Sequence, residues 1–195
     1  MSQAVRERII REATRLFVEH GYRGISMREI AEAANVSKAG LYYHFRDKED
    51  LFLAVLGDSL QRIGWIIAEA VKEKEATRER VAHVMRGIFS LPAEQRAIIR
   101  LATQEMAHLR APTRKVFGEQ YHRLFITPLE DILKEGIARQ EIRPLNTRVA
   151  IWMLLGMVYP FLYPPHHQGR IDPDEMLSTA LTIFFDGVSL PPNHS

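Results

Sequence analysis

Hydrophobic residues recur at intervals of three and four along nearly the whole chain, which is the spacing of helices with one buried face. Alternating runs of β-branched residues, which indicate strands, are missing from the sequence. Pro128 falls inside the seventh predicted helix and should kink it or split it in two. We therefore predict an all-α fold of about nine helices, with these bounds: 4–20, 27–34, 38–44, 48–73, 77–90, 93–109, 113–139, 147–163 and 173–188.

Residues 26–48 carry the clearest local signals, because polar residues mark where two short helices begin. Ser26 and Glu29 fit a capping box, in which each side chain bonds the backbone of the other residue. Residues 34–37 interrupt the helical pattern, and Ser37 is placed to cap the next helix. Helix, short turn and helix is a DNA-binding motif whose second helix enters the major groove.

The second short helix should bury Leu41 and Phe45, which are four residues apart. That orientation leaves lysine, alanine and two tyrosines facing outward, whereas a purely structural surface favours strong helix formers. Gly40 costs about 1 kcal/mol relative to alanine inside a helix. Two explanations for this glycine stay open: close approach of nucleic acid, or tight packing on a partner helix. Asp47 is placed to be the N-cap of a third helix that begins at Lys48.

The run ANVSKAGLYYHF from Ala34 to Phe45, followed by RDKEDL, closely resembles the signature of the tetracycline-repressor (TetR) family of transcriptional regulators. The close match covers about residues 5–55, and beyond it only length and helical pattern agree. The resemblance implies an N-terminal three-helix bundle with a helix-turn-helix over 1–47. It also implies a C-terminal helical effector-binding and dimerisation domain over 48–195, with the helix from Lys48 as the connecting lever.

The outward residues of the second helix are the best candidates for contact with base edges, namely Lys38, Ala39, Gly40 and Tyr43. The family resemblance implies that a further set positions the phosphate backbone, namely Ser26, Arg28, Ser37, Tyr42, His44 and Lys48. It also implies a dimer on a palindromic operator, with half-sites about one helical turn apart or slightly more.

The segment from Val149 to Pro165 carries no formal charge. It is shorter than the roughly 20 residues of a membrane helix and is interrupted by prolines. A helix that is apolar all round must be buried on all sides, which a second subunit would achieve. We predict a homodimer interface formed by Leu155, Gly156, Leu177, Leu181, Phe184 and Val188. The alternative is that both helices are intrachain core.

Large adaptable side chains in the middle of the chain suggest a pocket for an apolar or amphipathic effector. The candidates are Met85, Phe89, Met106, Phe117, Tyr121, Phe125, Trp152 and Tyr159. The alternative is that these residues are ordinary core. Polar anchors for an effector are suggested at His83, Arg86, His108 and His122, each of which can equally be a surface residue. The chemistry of the effector stays open among acyl chains, acyl thioesters, aromatic acids and cationic drugs.

Charge supports contact with nucleic acid, since the first 48 residues hold nine basic against six acidic side chains. The chain contains no cysteine, which excludes disulfides and thiolate sites. His166, His167 and Asp172 match no metal-binding spacing, and we recognise no catalytic motif. We therefore expect no enzymatic activity, no metal and no cofactor. The N-terminus lacks the pattern of a signal peptide, so we expect a cytoplasmic protein.

Together these features predict a repressor that binds operator DNA as a dimer and is released by a small effector. Two alternatives remain at this stage. One is a DNA-binding regulator that is controlled by a protein partner, and the other is an activator without a small-molecule inducer.

Overall fold

A computed structural model describes residues 2–72, 75–162 and 172–188, except for the side chains of Ser2, Thr103 and Val188. Helices dominate these residues, and no strand occurs among them, so the predicted all-α fold is confirmed. The α-helices are α1 (Ser2–His20), α2 (Met27–Ala33), α3 (Lys38–His44), α4 (Lys48–Lys72), α5 (Thr77–Phe89), α6 (Ala93–Glu105), α7 (Ala111–Tyr121), α8 (Thr127–Ala138), α9 (Thr147–Val158) and α10 (Pro173–Val188).

The helix predicted over 113–139 is divided in two by a π-helical turn, His122–Ile126, which joins α7 to α8. Pro128 explains the change, because it has no N–H to donate to the carbonyl four residues earlier. The chain compensates with a wider turn, in which the Thr127 N–H bonds the His122 carbonyl. The split expected at this proline is therefore confirmed.

Two other helices end earlier than the sequence pattern indicated. The helix predicted to reach residue 109 becomes a 3₁₀ turn at Met106–His108, and the one predicted to reach residue 163 becomes a 3₁₀ turn at Tyr159–Leu162. Tightening of the last turn is common at helix ends, where the final carbonyls lack intrahelical partners.

The helices form two compact units. The first comprises Met1–Gln61 together with Pro92–Gln120, and the second comprises Arg62–Leu91 together with Tyr121–Ser195. These units are defined by how the helices pack, and not by function. The functional boundary between residues 47 and 48 that the sequence suggested stays a prediction.

In the first unit, α1, α2, α3 and the first part of α4 surround a shared apolar core. Ile9, Phe17, Leu41 and Phe52 are fully buried in it. The ring centroids of Phe17 and Phe52 lie 5.1 Å apart in an edge-to-face arrangement, which aromatic pairs favour. Helix α6 packs on α1 and so belongs to this unit as well.

In the second unit, α5 packs against α8 and α10, and α9 packs against both α8 and α10. A buried arginine organises this unit, since Arg80 is only 1% exposed. Its guanidinium bonds the carbonyls of Ala70 and Val71 at 3.3 and 3.5 Å and the carboxylate of Glu135 at 2.6 Å. Arg80 thereby satisfies carbonyls in the last turn of α4, which have no partner inside the helix.

Helix α4 is also long and apolar enough to cross a membrane by length and composition. Its apolar stripe is nevertheless used inside the protein. Leu51 and Val55 are fully buried in the first unit, and Ile63 and Ile67 are 4% and 1% exposed in the second.

Candidate nucleic-acid interface

The start of α2 is fixed by the capping box that the sequence predicted. The Glu29 N–H donates to Ser26 Oγ at 3.3 Å, and the Ser26 N–H donates to Glu29 Oε2 at 2.8 Å. The Ser26 hydroxyl also donates to the same carboxylate oxygen at 2.6 Å. These bonds from the side chain and backbone of Ser26 lower the pKa of Glu29. The Ser26–Glu29 capping box is confirmed.

The turn between α2 and α3 depends on Asn35, whose φ of +50° lies in the left-handed region. Asparagine tolerates this conformation better than most residues. It allows the Val36 N–H to reach back to the Ala31 carbonyl at 3.0 Å and close the helix. The chain then enters α3 at Ser37, whose Oγ accepts a hydrogen bond from the Gly40 N–H at 2.9 Å. The predicted cap at Ser37 is confirmed.

Helix α3 has the two faces expected from its sequence. Leu41 and Phe45, immediately after the helix, are 0% and 3% exposed. On the other side, Tyr42 is 43% and Tyr43 is 82% exposed. A large aromatic side chain as exposed as Tyr43 contributes little to the monomer's core, so its contact surface is available to a partner.

The surroundings of Gly40 favour neither of the two explanations offered from sequence alone. A Cβ at this position would lie 3.2 Å from Ser37 Oγ and 3.8 Å from the Val36 side chain. An added methyl group would therefore crowd the hydroxyl that caps α3. Glycine avoids this crowding at the cap.

The start of α4 is held by its predicted cap and by a distant arginine. Asp47 Oδ1 accepts from the Asp50 N–H at 2.8 Å, which confirms Asp47 as the N-cap. Arg110 pairs with Asp47 through Nη2 at 2.7 Å and donates its backbone N–H to Glu49 Oε1 at 2.6 Å. Its Nε also donates to Glu49.

These bonds decide the protonation of Glu49. Burial opposes ionisation of this carboxyl group, yet the hydrogen bonds from Arg110 and Thr113 prevail and lower its pKa. No local pattern links residues 49 and 110, so sequence reasoning missed this cluster.

Lys48 points toward the protein in this structure. Its Nζ lies 4.8 Å from the centroid of the Tyr22 ring, which is a cation–π distance. Burial lowers the pKa of Lys48, although the negative charges of Glu105 and Glu29 partly offset the effect. Lys48 is therefore partly exposed, with its ammonium against Tyr22.

The other residues predicted to bind DNA lie on α2, on α3 or at their caps. Those on the exposed side are Ser26, Arg28, Ser37, Lys38, Ala39, Tyr42 and Tyr43, and those partly buried are Gly40, His44 and Lys48. Arg28 pairs with Glu32 at 2.8 Å on a well-exposed surface, where such a pair is weak and easily exchanged for another anion. The contacts of each residue with DNA stay predictions.

The residues predicted to line an effector pocket are distributed over both units. The first unit contains Met106 and Phe117; the second contains Met85, Phe89, Tyr121, Phe125, Trp152 and Tyr159. In the second unit, the Tyr121 ring lies 5.2 Å from that of Phe125 and 6.3 Å from that of Trp152. Burial raises the pKa of the Tyr121 hydroxyl.

Three of the residues predicted for a dimer interface face the core of the second unit. Leu177, Leu181 and Phe184 are 3%, 5% and 6% exposed. Leu155 is half-buried, whereas Gly156 is exposed with open space where a side chain would be. The side chain of Val188 lies outside the described residues.

The outward sides of α9 and α10 carry other apolar residues. Val149, Met153 and Ile183 are 47%, 65% and 62% exposed. Ile183 also lines an open cleft of about 620 Å³ between the end of α9 and α10, together with Met157, Phe161, Glu175, Met176, Thr179 and Ala180. Sequence spacing alone did not identify this surface, because apolar residues occur on both sides of these helices.

The described residues contain no cluster of three or more side chains that could hold a metal ion. His166 and His167 lie outside the described part of the chain. Asp172 Oδ1 accepts from the Asp174 N–H at 3.1 Å and so caps the start of α10.

Two family models match the chain and together cover most of it. Residues 9–55 match the model described as bacterial regulatory proteins, tetR family. Residues 74–188 match the model described as a tetracyclin repressor-like C-terminal domain. The first match includes α2, α3 and the start of α4, where the capped helices and the exposed tyrosines lie.

Curated relatives and solved structures agree with these matches. The chain is 28% identical over 151 residues to the fatty acid metabolism regulator protein of Bacillus subtilis, covering 77% of each chain. It is 24% identical over 185 residues to the transcriptional repressor KstR2 of Rhodococcus jostii, covering 93% of this chain and 89% of the relative.

Among solved structures, the fold resembles AibR in complex with isovaleryl coenzyme A and operator DNA. The TM-score is 0.77 at 26% identity, and the similarity covers 93% of this chain and 98% of AibR.

Proposed function

Because the chain belongs to the tetR family of bacterial regulatory proteins, we propose that it is a ligand-responsive transcriptional repressor. It binds a palindromic operator as a dimer and is released by a small apolar or amphipathic effector. It acts in the cytoplasm, where a bacterial operator lies, and has no enzymatic activity. The observation that carries this function is the outward surface of α3, where Tyr43 is 82% exposed beside a backbone fixed by two caps.

Within this function, α3 enters the major groove and contacts base edges through Lys38, Ala39, Gly40 and Tyr43. Phosphates are held by Ser26, Arg28, Ser37, Tyr42, His44 and Lys48. The amide end of α4 adds a partial positive charge where the backbone of the DNA passes.

The dimer that presents two copies of α3 forms through the outer face of α9 and α10. Met153 and Ile183 are large apolar side chains that are each more than half exposed, and Gly156 leaves room for close approach of a helix. Burial of such a surface against a second subunit stabilises the dimer by about 25 cal/mol per Å² of apolar area that is removed from water. This face replaces the inward stripe of Leu177, Leu181 and Phe184 that spacing alone suggested.

The effector class that we favour is an acyl-coenzyme A thioester. AibR was solved with isovaleryl coenzyme A, and the Bacillus subtilis relative regulates fatty acid metabolism. The predicted lining residues of the second unit suit this chemistry, because methionine and aromatic side chains adapt to acyl chains of different shape. Each methylene group that is buried contributes about 0.8 kcal/mol, so affinity should depend on chain length.

Operator binding with and without acyl thioesters tests this function. Duplexes would be selected from random DNA with the purified protein, and binding followed by fluorescence anisotropy. We expect specific binding that short- or long-chain acyl-coenzyme A reverses and that free coenzyme A does not. Selection without enrichment of any sequence would contradict operator binding. Enrichment without release by any thioester would contradict the effector class and favour the alternative of a protein partner.

A further inference from the structure

Three acidic side chains lie together at the start of α4, the helix end that should meet DNA phosphate in the proposed function. Asp47 is the N-cap of this helix, and Glu49 and Asp50 lie in its first turn. Carboxylates stabilise a helix at this end, because its free N–H groups carry a partial positive charge. The same carboxylates repel phosphate, so they should oppose DNA binding unless cations cancel their charge.

Each of these three carboxylates has a cation close to it, but the cations come from different parts of the chain. Asp50 accepts the backbone N–H of Arg46 at 3.0 Å, and the Arg46 guanidinium lies 3.6 Å from the other carboxylate oxygen. Asp47 and Glu49 both bind Arg110, which lies between α6 and α7. One distant arginine therefore pairs with two of the three acidic side chains.

The two oxygens of Asp47 bind different partners. Oδ1 accepts from the Asp50 N–H at 2.8 Å and caps α4, while Oδ2 accepts from Arg110 Nη2 at 2.7 Å. The side chains of Asp47 and Arg110 are 45% and 63% exposed, and an ion pair this exposed adds little to stability. The positive charge that Arg110 brings to this surface therefore matters more than the strength of the pair.

The backbone around Arg110 fixes where this charge lies. Leu109 is 3% exposed, and the Arg110 carbonyl accepts from the Arg114 N–H at 3.0 Å as α7 begins. The Arg110 N–H donates to Glu49 Oε1 at 2.6 Å, and its Nε also donates to Glu49. Because Glu49 is only 8% exposed, Arg110 is bound to α4 through a buried carboxylate while its Nη2 reaches Asp47 at the surface.

We propose that Arg110 is a positioning residue for operator binding. Its guanidinium cancels the negative charge of Asp47 and Glu49, so that DNA phosphate can approach Lys48 and the amide end of α4. Arg110 acts through these carboxylates and not through a contact of its own with the DNA. This inference rests on the proposed function, because it explains how an acidic helix start can serve as a phosphate site.

Charge-changing variants test this role by fluorescence anisotropy on a random-sequence duplex at low salt. Arg110→Gln leaves both carboxylates without their counter-charge and should lower the affinity of a dimer, in which the change occurs twice, about tenfold. Arg110→Lys keeps the positive charge and should lose less than about threefold. Lys115→Gln is the control and should leave the affinity nearly unchanged, because Lys115 is an exposed cation of α7 that lies 4.0 Å from Glu119.

Asp47→Asn separates an effect of charge from an effect of structure. The asparagine side-chain oxygen can still cap α4, but it carries no charge. Added to Arg110→Gln, this substitution should raise the affinity about threefold, because one repelling carboxylate is removed. A purely structural loss at Arg110 would not be repaired by removing its partner as well.

An Arg110→Gln variant that binds as tightly as wild type, or a loss that Asp47→Asn does not reduce, would overturn the inference. Thermal unfolding shows whether each variant folds. If Arg110→Gln does not fold, Asp47→Asn alone decides, because it leaves excess positive charge on Arg110 and should raise the affinity about threefold; no rise would then overturn the inference.

The same measurements separate this inference from the proposed function. If wild type binds neither the random duplex nor any selected operator, the proposed function fails, and the role of Arg110 fails with it. If wild type binds and Arg110→Gln binds equally well, only the role of Arg110 is contradicted.

Discussion

The surface around α3 and the outer face of α9 and α10 are both exposed, yet they have opposite chemistry. Around α3, lysine, tyrosine and capped backbone offer hydrogen bonds and positive charge. On α9 and α10, Met153 and Ile183 are 65% and 62% exposed and offer only apolar area. The first surface suits a polyanion, and its binding to that polyanion should weaken as the salt concentration rises. The second surface suits another apolar surface, and the strength of that association should depend little on salt concentration.

This contrast assigns the two surfaces to different partners. A charged partner on α9 and α10 would leave groups that face Met153 and Ile183 without hydrogen bonds. An apolar partner on α3 would have to bury the capped backbone and the lysine. Substitutions at the two surfaces should therefore differ in their effects on assembly, stability and salt dependence.

The largest effect is expected for Ile183→Arg on the apolar face. A buried, unpaired charge in each half of a two-fold interface should prevent dimerisation. Operator affinity should fall by more than about 100-fold, because two linked half-site contacts become one. Sedimentation and anisotropy would measure the two effects. Val116→Arg is the matched control, since Val116 is 41% exposed on α7 and lies in the other unit. A dimer that survives Ile183→Arg would refute the assigned face.

The two sides of α10 should respond differently to truncation. Leu181 is 5% exposed in the core, so Leu181→Ala should lower the free energy of unfolding by about 2–4 kcal/mol at every protein concentration. Ile183→Ala should instead weaken the dimer, so that its loss of thermal stability grows as the protein is diluted. Thermal unfolding over a range of concentrations checks both. Identical behaviour of the two variants would contradict the division between core and interface.

Lys48→Ala should reduce affinity for all DNA sequences and lower the salt slope by about one unit. The reason is the loss of one phosphate contact that carries no sequence information. Binding would be measured from low to moderate salt on operator and on random DNA. Lys72→Ala, at the far end of α4, serves as the control for loss of one charge. An unchanged slope in a folded variant would place Lys48 outside the interface.

The smallest effect is expected in the pH dependence of stability, through Glu49 at the start of α4. The pKa of Glu49 is lowered, so its bonds to Arg110 stabilise the fold above the unfolded pKa of glutamate and are lost as pH falls through the folded value. Wild type should therefore exceed Glu49→Gln in stability near neutral pH, and this difference should shrink below about pH 4. Unfolding midpoints across that range would measure it, with the exposed carboxylate of Glu119→Gln as the control. A difference that is constant with pH would show that Glu49 acts through packing alone.

The DNA-binding helices were predictable because their signals are local. Ser26, Ser37 and Asp47 each cap a helix that begins at the following residue, and all three caps are present. Leu41 and Phe45 were correctly assigned to the core from their spacing. A cap involves residues three positions apart, so it can be recognised from a short stretch of sequence.

Contacts between distant residues were not predictable in this way. Arg110 meets Glu49 across 61 positions, and Arg80 meets Glu135 across 55. Periodicity also left the orientation of α10 undecided. Its spacing identified Leu177 and Leu181 as one stripe, but the side of the helix that faces the core depends on which side α5 and α9 cover.

The most direct test of DNA recognition by paired copies of α3 is selection from random duplexes with wild-type protein and with Lys38→Ala. We expect wild type to enrich an inverted repeat with half-sites about one helical turn apart. The variant should change the preferred base at the same position in both half-sites. Enrichment of a site without two-fold symmetry, or an unchanged preference in the variant, would contradict this mode of recognition.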